Sequence, residues 1–416
     1  MLKKELKKGI NLYTVKDDKF KAFAAYIIIH RPLNKKEVTL NTLMATVMKM
    51  KSKNYPSQSE ISKELENLYG AKLFSYASKY GERQLIKIGI QSVCDSVLSE
   101  DENFEKAMKL LYDIVLCQDA EGGFSEDIIE IEKKNIKDAI LAQKNDKRTY
   151  STLRLQEEMC KDEAYGINPM GYIEELEKAD TDKLYEHYKK VISQSRIDII
   201  FSGNFDEEKA LKAAKNFSSA LKERDGAQIK EEIRKAPESV KSVTDKMDVT
   251  QGKLCMGWRM ENTEKEDYPA LIVYNSIFGG SAVSKLFNNV REKLSLCYYV
   301  GSSIDRLKKI MIVRSGVEFE NFGKAYDEIM LQQKMMTDGD FTDEEIENAK
   351  RQLIAAYRSN LDSIGLMAEY YIMQILLETD ISIEQMCQEV GSVSREKIIE
   401  AAKRMKLDTV YYIDKE

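Results

Sequence analysis

Imidazoles, the side chains that most often hold zinc or act as general base, are scarce in this chain of 416 residues, which holds only two histidines, His30 and His187. A zinc helix of the two-imidazole kind needs both rings one turn apart, with a carboxylate beside the metal-bound water as general base. His30 and His187 are far apart in the sequence, so no such helix can be written from it. His30 closes an apolar run before Arg31-Pro32 and reads as a structural or strand-edge residue, while His187, in the charged stretch Asp182 to Lys190, is expected on the surface. Neither stands in a motif with a partner, so a Ser/His/Asp constellation has no support. The six cysteines include no C-x-x-C pair and read as reduced thiols filling core positions. Gly279-Gly280 has no Lys-Ser/Thr at P-loop spacing and is better explained as a tight turn into the next helix. Just beyond it, Tyr298 follows Arg291 by seven positions. By residue type alone these are a helix-end arginine beside Glu292 and a strand tyrosine packed in a sheet.

Composition sets the class. Hydrophobic residues are 43% and charged residues 32%, with a formal net charge of −6 and both signs interspersed. That fits a folded protein and offers no basic face for nucleic acid. The basic start, Met1 to Gly9, leads into mixed residues rather than the apolar core of a signal peptide, and the longest apolar run, Ala22 to Ile29, is far too short to span a membrane. A cytoplasmic protein with no membrane partner is expected.

The element order is written twice. Strands at Asn11 to Val15 and Phe23 to Ile29 precede helical patterns at Leu40 to Lys51 and Ser57 to Leu68. A strand at Lys253 to Met260 likewise precedes helical patterns at Tyr268 to Phe278 and Ala282 to Lys293. Strand runs at Gln84 to Ser92 and Lys309 to Val317 correspond. Each half closes on a helix and a strand, Thr181 to Ser193 with Arg196 to Phe201, and Ser394 to Met405 with Asp408 to Ile413. Two copies of one α/β unit, each about 200 residues, are implied. The expected division is a first unit at 1–222, a charged linker at 223–246 broken by Gly226 and Pro237, and a second unit at 247–416. The class is α+β, with mostly antiparallel sheets and helices packed on them. One helix is bounded by Ser125 as N-cap, with apolar positions at Ile128, Ile131, Ile136 and Ile140.

A duplicated unit with G-G-x-x-x-S-x-L-F, then V-R-E, then a tyrosine seven residues after the arginine resembles the insulinase/pitrilysin family of zinc peptidases. Tyr55-Pro56, Tyr165-Gly166, Gly171 and Ser202-Gly203-Asn204 also fit family positions. The resemblance implies a duplicated fold like that of mitochondrial processing peptidase. It also implies an inverted zinc motif, H-x-x-E-H, in the first unit, with a third glutamate ligand on a later helix. Counted from Tyr55-Pro56, those positions fall on Thr42, Ala45 and Thr46, and the third, seven after Glu132, falls on Ala139. None can hold zinc as the family does.

In the family, the Arg and Tyr corresponding to Arg291 and Tyr298 reach towards the zinc site and can donate hydrogen bonds to a substrate carbonyl and its oxyanion. The resemblance therefore implies a non-catalytic, substrate-binding subunit of a heterodimeric zinc metallopeptidase, inactive alone. No metal or cofactor is expected in this chain; zinc is expected in a homologous partner, and a peptide is the substrate. The alternative is a pseudo-peptidase scaffold or peptide-binding protein with no part in catalysis.

Overall fold

A computed structural model describes residues 1–99, 101–118, 124–226 and 229–416. Two mixed sheets organise the chain. The first contains β1 (Leu2–Lys7), β2 (Ile10–Lys16), β3 (Ala22–Pro32), β4 (Lys72–Tyr80), β5 (Arg83–Val93) and β6 (Ile197–Gly203), in the order β1-β2-β6-β3-β5-β4. The second contains β7 (Lys241–Met247), β8 (Gly252–Met260), β9 (Cys297–Asp305), β10 (Ile310–Val317) and β11 (Met405–Lys415), in the order β7-β11-β8-β10-β9. Apart from β1, the orders superimpose. The one parallel pair also recurs in place, β2 with β6 and β7 with β11, while all other pairs are antiparallel. The expected α+β duplication is thus present at the level of strand register.

Central strands read as continuous apolar runs because both faces are covered. In β3, Phe23 to Arg31 are all buried, between β5 and β6. His30 is therefore central and not at an edge. The polar β7, with alternating half-buried and exposed residues, lies inside the stretch 223–246 expected as linker, and its first six residues give no apolar signal strong enough to reveal a strand. Residues 227–228 of that stretch lie outside the described residues.

Each compact unit takes one helix from the opposite half of the sequence. The first comprises residues 1–141, 167–230 and 360–380, and the second residues 142–166, 231–359 and 381–416. In the first unit, helix Ile364–Leu377 is held by Glu369, whose carboxylate meets Lys87 Nζ at 2.7 and 2.8 Å and accepts from Tyr80 at 2.7 Å. In the second unit, helix Lys147–Met159 lies on β8 and β11; its Leu155 and Met159 join Ile310, Ile312, Tyr411 and Ile413 in the core. Arg154 adds an ion pair to Asp245 of β7.

Two further expectations are corrected. Helix Glu126–Asn145 buries Ile129, Glu132 and Ile136, while Ile131 is 56% exposed. Ile136 is in the core and Ile128 and Ile140 pack against it, so of the four expected positions only Ile131 faces outward, and Glu132 takes the inward place beside it. His187 is buried rather than at the surface, since the charged residues around it occupy only the outer face of helix Thr181–Gln194. No helix among the described residues is long and apolar enough to cross a membrane.

Candidate functional site

Helix Val38–Met48, in the first unit, carries Thr42, Ala45 and Thr46. It is buried on nearly every side. Ala45 has no exposed surface, and Thr46 turns its hydroxyl back to Leu43 O at 2.9 Å. Thr42 Oγ1 reaches Val38 O at 3.0 Å and Pro169 O at 3.1 Å, and accepts from Gln84 Nε2 at 3.1 Å. That Gln84 amide also reaches Pro169 O at 3.0 Å, while its Oε1 accepts from Asn41 Nδ2 at 2.8 Å. Asn41 Oδ1 in turn accepts from His187 Nε2 at 2.7 Å. A closed chain of neutral hydrogen bonds, His187–Asn41–Gln84–Thr42–Pro169, thus fills this side of the helix. Burial drops the His187 imidazole to about 4, so it stays neutral near pH 7.

The loop that supplies Pro169 is seated on the same helix. Gly171, with φ +88°, approaches so closely that a Cβ there would lie 2.3 Å from Thr39 Oγ1. Tyr172 N–H donates to that hydroxyl at 3.1 Å. Only glycine fits both the positive φ and the contact.

Ala139 is half-buried on helix Glu126–Asn145, and its methyl group offers no donor atom. Glu132, two turns earlier on nearly the same face, is buried and accepts from Asn135 Nδ2 at 3.0 Å. Among the described residues, no three His, Cys, Asp or Glu side chains gather as a metal ion needs. A threonine, alanine, threonine and alanine set does not fit zinc.

Arg291 and Tyr298 lie in the second unit, around an unusual turn. Residues Leu286–Lys293 wind as a π-helix rather than the α-helix expected over Ala282 to Lys293. Its i→i−5 pattern continues to Leu294 N–H, which donates to Asn289 O at 3.1 Å. Ser295 then takes φ 49°, and the chain enters β9, the edge strand of its sheet. Gly279 and Gly280 let the preceding loop close on this region: a Cβ on Gly279 would lie 2.6 Å from Ser302 Oγ, and one on Gly280 2.5 Å from Asn275 Nδ2.

Arg291 stacks on Phe287, 4.6 Å from the ring centroid, and its Nε stands 3.5 Å from Glu292. Its charge also opposes the upward push of burial on the Cys297 thiol, the residue next to Tyr298. Tyr298 is 62% exposed and donates to Glu318 Oε1 at 2.5 Å, a bond that raises its phenol pKa and keeps it protonated. Both donors are accessible. Sequence reasoning missed Asn41 and Gln84, whose only signal was an amide inside an otherwise apolar helix and another inside an apolar strand.

Residues 178–353 match the family described as "Peptidase M16 inactive domain". A probable inactive metalloprotease of Bacillus subtilis, YmfF, is 32% identical over 408 residues, covering 97% of this chain and 96% of that protein. The fold is similar to a conserved protein from Enterococcus faecalis V583, with TM-score 0.93 and 28% identity, covering 100% of this chain and 98% of that one. It is also similar to a peptidase M16 inactive domain from Pseudomonas fluorescens, with TM-score 0.82 and 17% identity over 98% of this chain and 96% of the other. The chain belongs to the M16 peptidases, the insulinase/pitrilysin family.

Proposed function

We propose that the chain is the substrate-binding, non-catalytic subunit of a heterodimeric zinc peptidase. Its two repeats, 1–222 and 247–416 joined through 223–246, would pair with a homologous chain carrying H-x-x-E-H and its zinc. Arg291 and Tyr298 act in trans on the substrate carbonyl and oxyanion, as a charged fork and a protonated phenol able to donate there. The observation that carries this reading is a contrast within the chain. The metal positions are filled by buried neutral hydrogen bonds, whereas Arg291 and Tyr298 stay accessible on a π-wound segment, a rare geometry frequent at functional sites.

The test is reconstitution with a homologous chain that carries H-x-x-E-H. The chain alone should bind no zinc equivalent and cleave nothing. With its partner it should support peptide cleavage that falls on Arg291→Ala or Tyr298→Phe at unchanged complex formation. Zinc and cleavage in the isolated chain would overturn the reading. A scaffold role is favoured by one observation, that Tyr298 already donates to Glu318; unchanged cleavage in both variants would select it.

A further inference from the structure

Three cationic side chains of the second unit converge on one phenol ring. Arg148, in the first turn of helix Lys147–Met159, places its guanidinium 4.6 Å from the centroid of Tyr299. Lys253 of β8 places its ammonium 5.9 Å from the same centroid. Arg314 of β10 lies on the same sheet face, donating to Ser303 Oγ at 2.7 Å and Thr152 Oγ1 at 3.0 Å. Register explains the convergence. Gly316 stands opposite both Lys253 and Tyr299, and Arg314 is two residues away on the same strand, so Lys253, Arg314 and Tyr299 share one face, on which Arg148 lies from the helix above. Gly316 leaves room for the ring: a Cβ there would lie 2.5 Å from Tyr299 Cε1.

The charges at this place do not balance locally. Among the described residues, Arg314 is hydrogen-bonded to neutral hydroxyls, Lys253 to the Gln251 amide, and Arg148 rests on the ring. Burial presses the pKa of both Lys253 and Arg314 downward, and the Arg148 charge presses Arg314 further. The nearest acids are engaged elsewhere. Asp146 caps the helix through Arg148 N–H at 3.1 Å and the Thr149 hydroxyl, and Glu318 holds Tyr298. Partly buried cations without a counter-ion are costly, and two guanidiniums with an ammonium form a fork suited to an oxyanion. Asp146 acts on both Arg148 and Lys253, and Glu318 on Lys253, from a distance; three cations against two carboxylates leave an excess of one positive charge, which suits a monoanion.

We infer that Arg148, Lys253, Arg314 and Tyr299 form a carboxylate-binding site, which takes the C-terminal or acidic side-chain carboxylate of a peptide. The peptide as its source rests on the reading above; the anion site itself does not. The full chain alone is the test material, so failure of the paired cleavage assay and failure of this site are separate results.

Melting temperature is followed at constant ionic strength with four probes: N-acetyl-alanyl-alanine as free acid, the same dipeptide as amide, N-acetyl-glutamic acid α-amide with its side-chain carboxylate free, and sodium sulfate. A carboxylate probe at about ten times its Kd should raise Tm by about 2 °C, while the neutral amide does not. The free-acid dipeptide responding alone assigns a C-terminal carboxylate, and the glutamate probe responding alone assigns an acidic side chain. The shift should vanish in Arg148→Gln, whose exposed side chain carries no fold contact beyond the ring, and in Arg148→Gln/Lys253→Met. A response to sulfate but to neither carboxylate overturns the assignment. Absence of any response, or an equal response in the variants, overturns the site.

Discussion

His187 donates through Nε2 to Asn41 Oδ1 at 2.7 Å, inside the first unit and against the helix where an active relative would hold zinc. The donor role follows from Asn41, whose Nδ2 is committed to Gln84 Oε1 at 2.8 Å. One of the chain's two histidines is thus a neutral structural group, and this has a measurable consequence.

Burial holds the His187 imidazole near 4, below its ordinary value of 6.5. The unfolded chain therefore binds more protons than the folded one between these values. Stability from this residue is fully present above pH 6.5 and is lost as pH falls towards 4, by about 3 kcal/mol in all. Urea unfolding of wild type and His187→Gln across this range should show a stability difference that shrinks or reverses as the pH falls. A constant difference would mean that His187 binds its proton equally in the folded and unfolded chain, and that burial does not hold it neutral.

Rewriting the zinc motif should not restore a zinc site. In Thr42→His/Ala45→Glu/Thr46→His, Gln84 loses an acceptor and a carboxylate enters a position with no exposed surface. A loss of about 3 kcal/mol or more is expected, with less than one equivalent of zinc by metal analysis. A stable variant holding one equivalent would show that the helix retains a metal-ready geometry.

The second unit contains a buried ion cluster whose integrity can be tested separately. Glu163 meets Arg259 Nη2 at 2.5 Å and Lys308 Nζ at 2.6 Å, with all three side chains almost wholly buried. Burial pushes the Glu163 carboxyl up, but Arg259 and Lys308 outweigh it and hold the group below its usual range. Glu163→Gln leaves two buried cations undercompensated and should cost about 3–5 kcal/mol in denaturant unfolding. A change below about 1 kcal/mol would mean that Asp408 and backbone carbonyls suffice for Arg259 and Lys308.

Gly280→Ala should act on the turn that presents Arg291. The new methyl would meet Asn275 Nδ2 at 2.5 Å and Asn275 O at 2.9 Å, and the backbone oxygen cannot rotate away. Roughly 1–3 kcal/mol of destabilisation is expected. Calorimetry of this variant, beside its effect on partner-supported cleavage, shows whether the turn's shape matters beyond stability.

The repeat, the inner strands of both sheets and the residue types at the metal positions were legible because they depend on local periodicity and residue type, whereas the strands β1, β4, β7 and β9 were not. Helix Tyr268–Phe278 was read to the residue, and β10 to within one. The pairings that explain the site were not, because Asn41 meets His187 across 146 positions and Gln84 across 43. Nor does any periodicity mark a π-helix: Leu286–Lys293 has the apolar spacing of an ordinary helix, and only tertiary contacts select the wider winding. The charged context of His187 concealed a buried ring, and the apolar side chain of Ile131 suggested core, because residue type alone does not fix which face of a helix packs inward.

The long helix Glu126–Asn145 is followed by Lys147–Met159, and Asp343–Asn360 by Ile364–Leu377; each short helix belongs to the unit built mainly from the other half. A single ancestral copy would have lacked the cover for its own sheet. It would have folded only by exchanging that helix with a second molecule, as an obligate swapped dimer whose stability rose with concentration. Within one polypeptide the tether takes the place of that encounter, so neither half has to fold by itself.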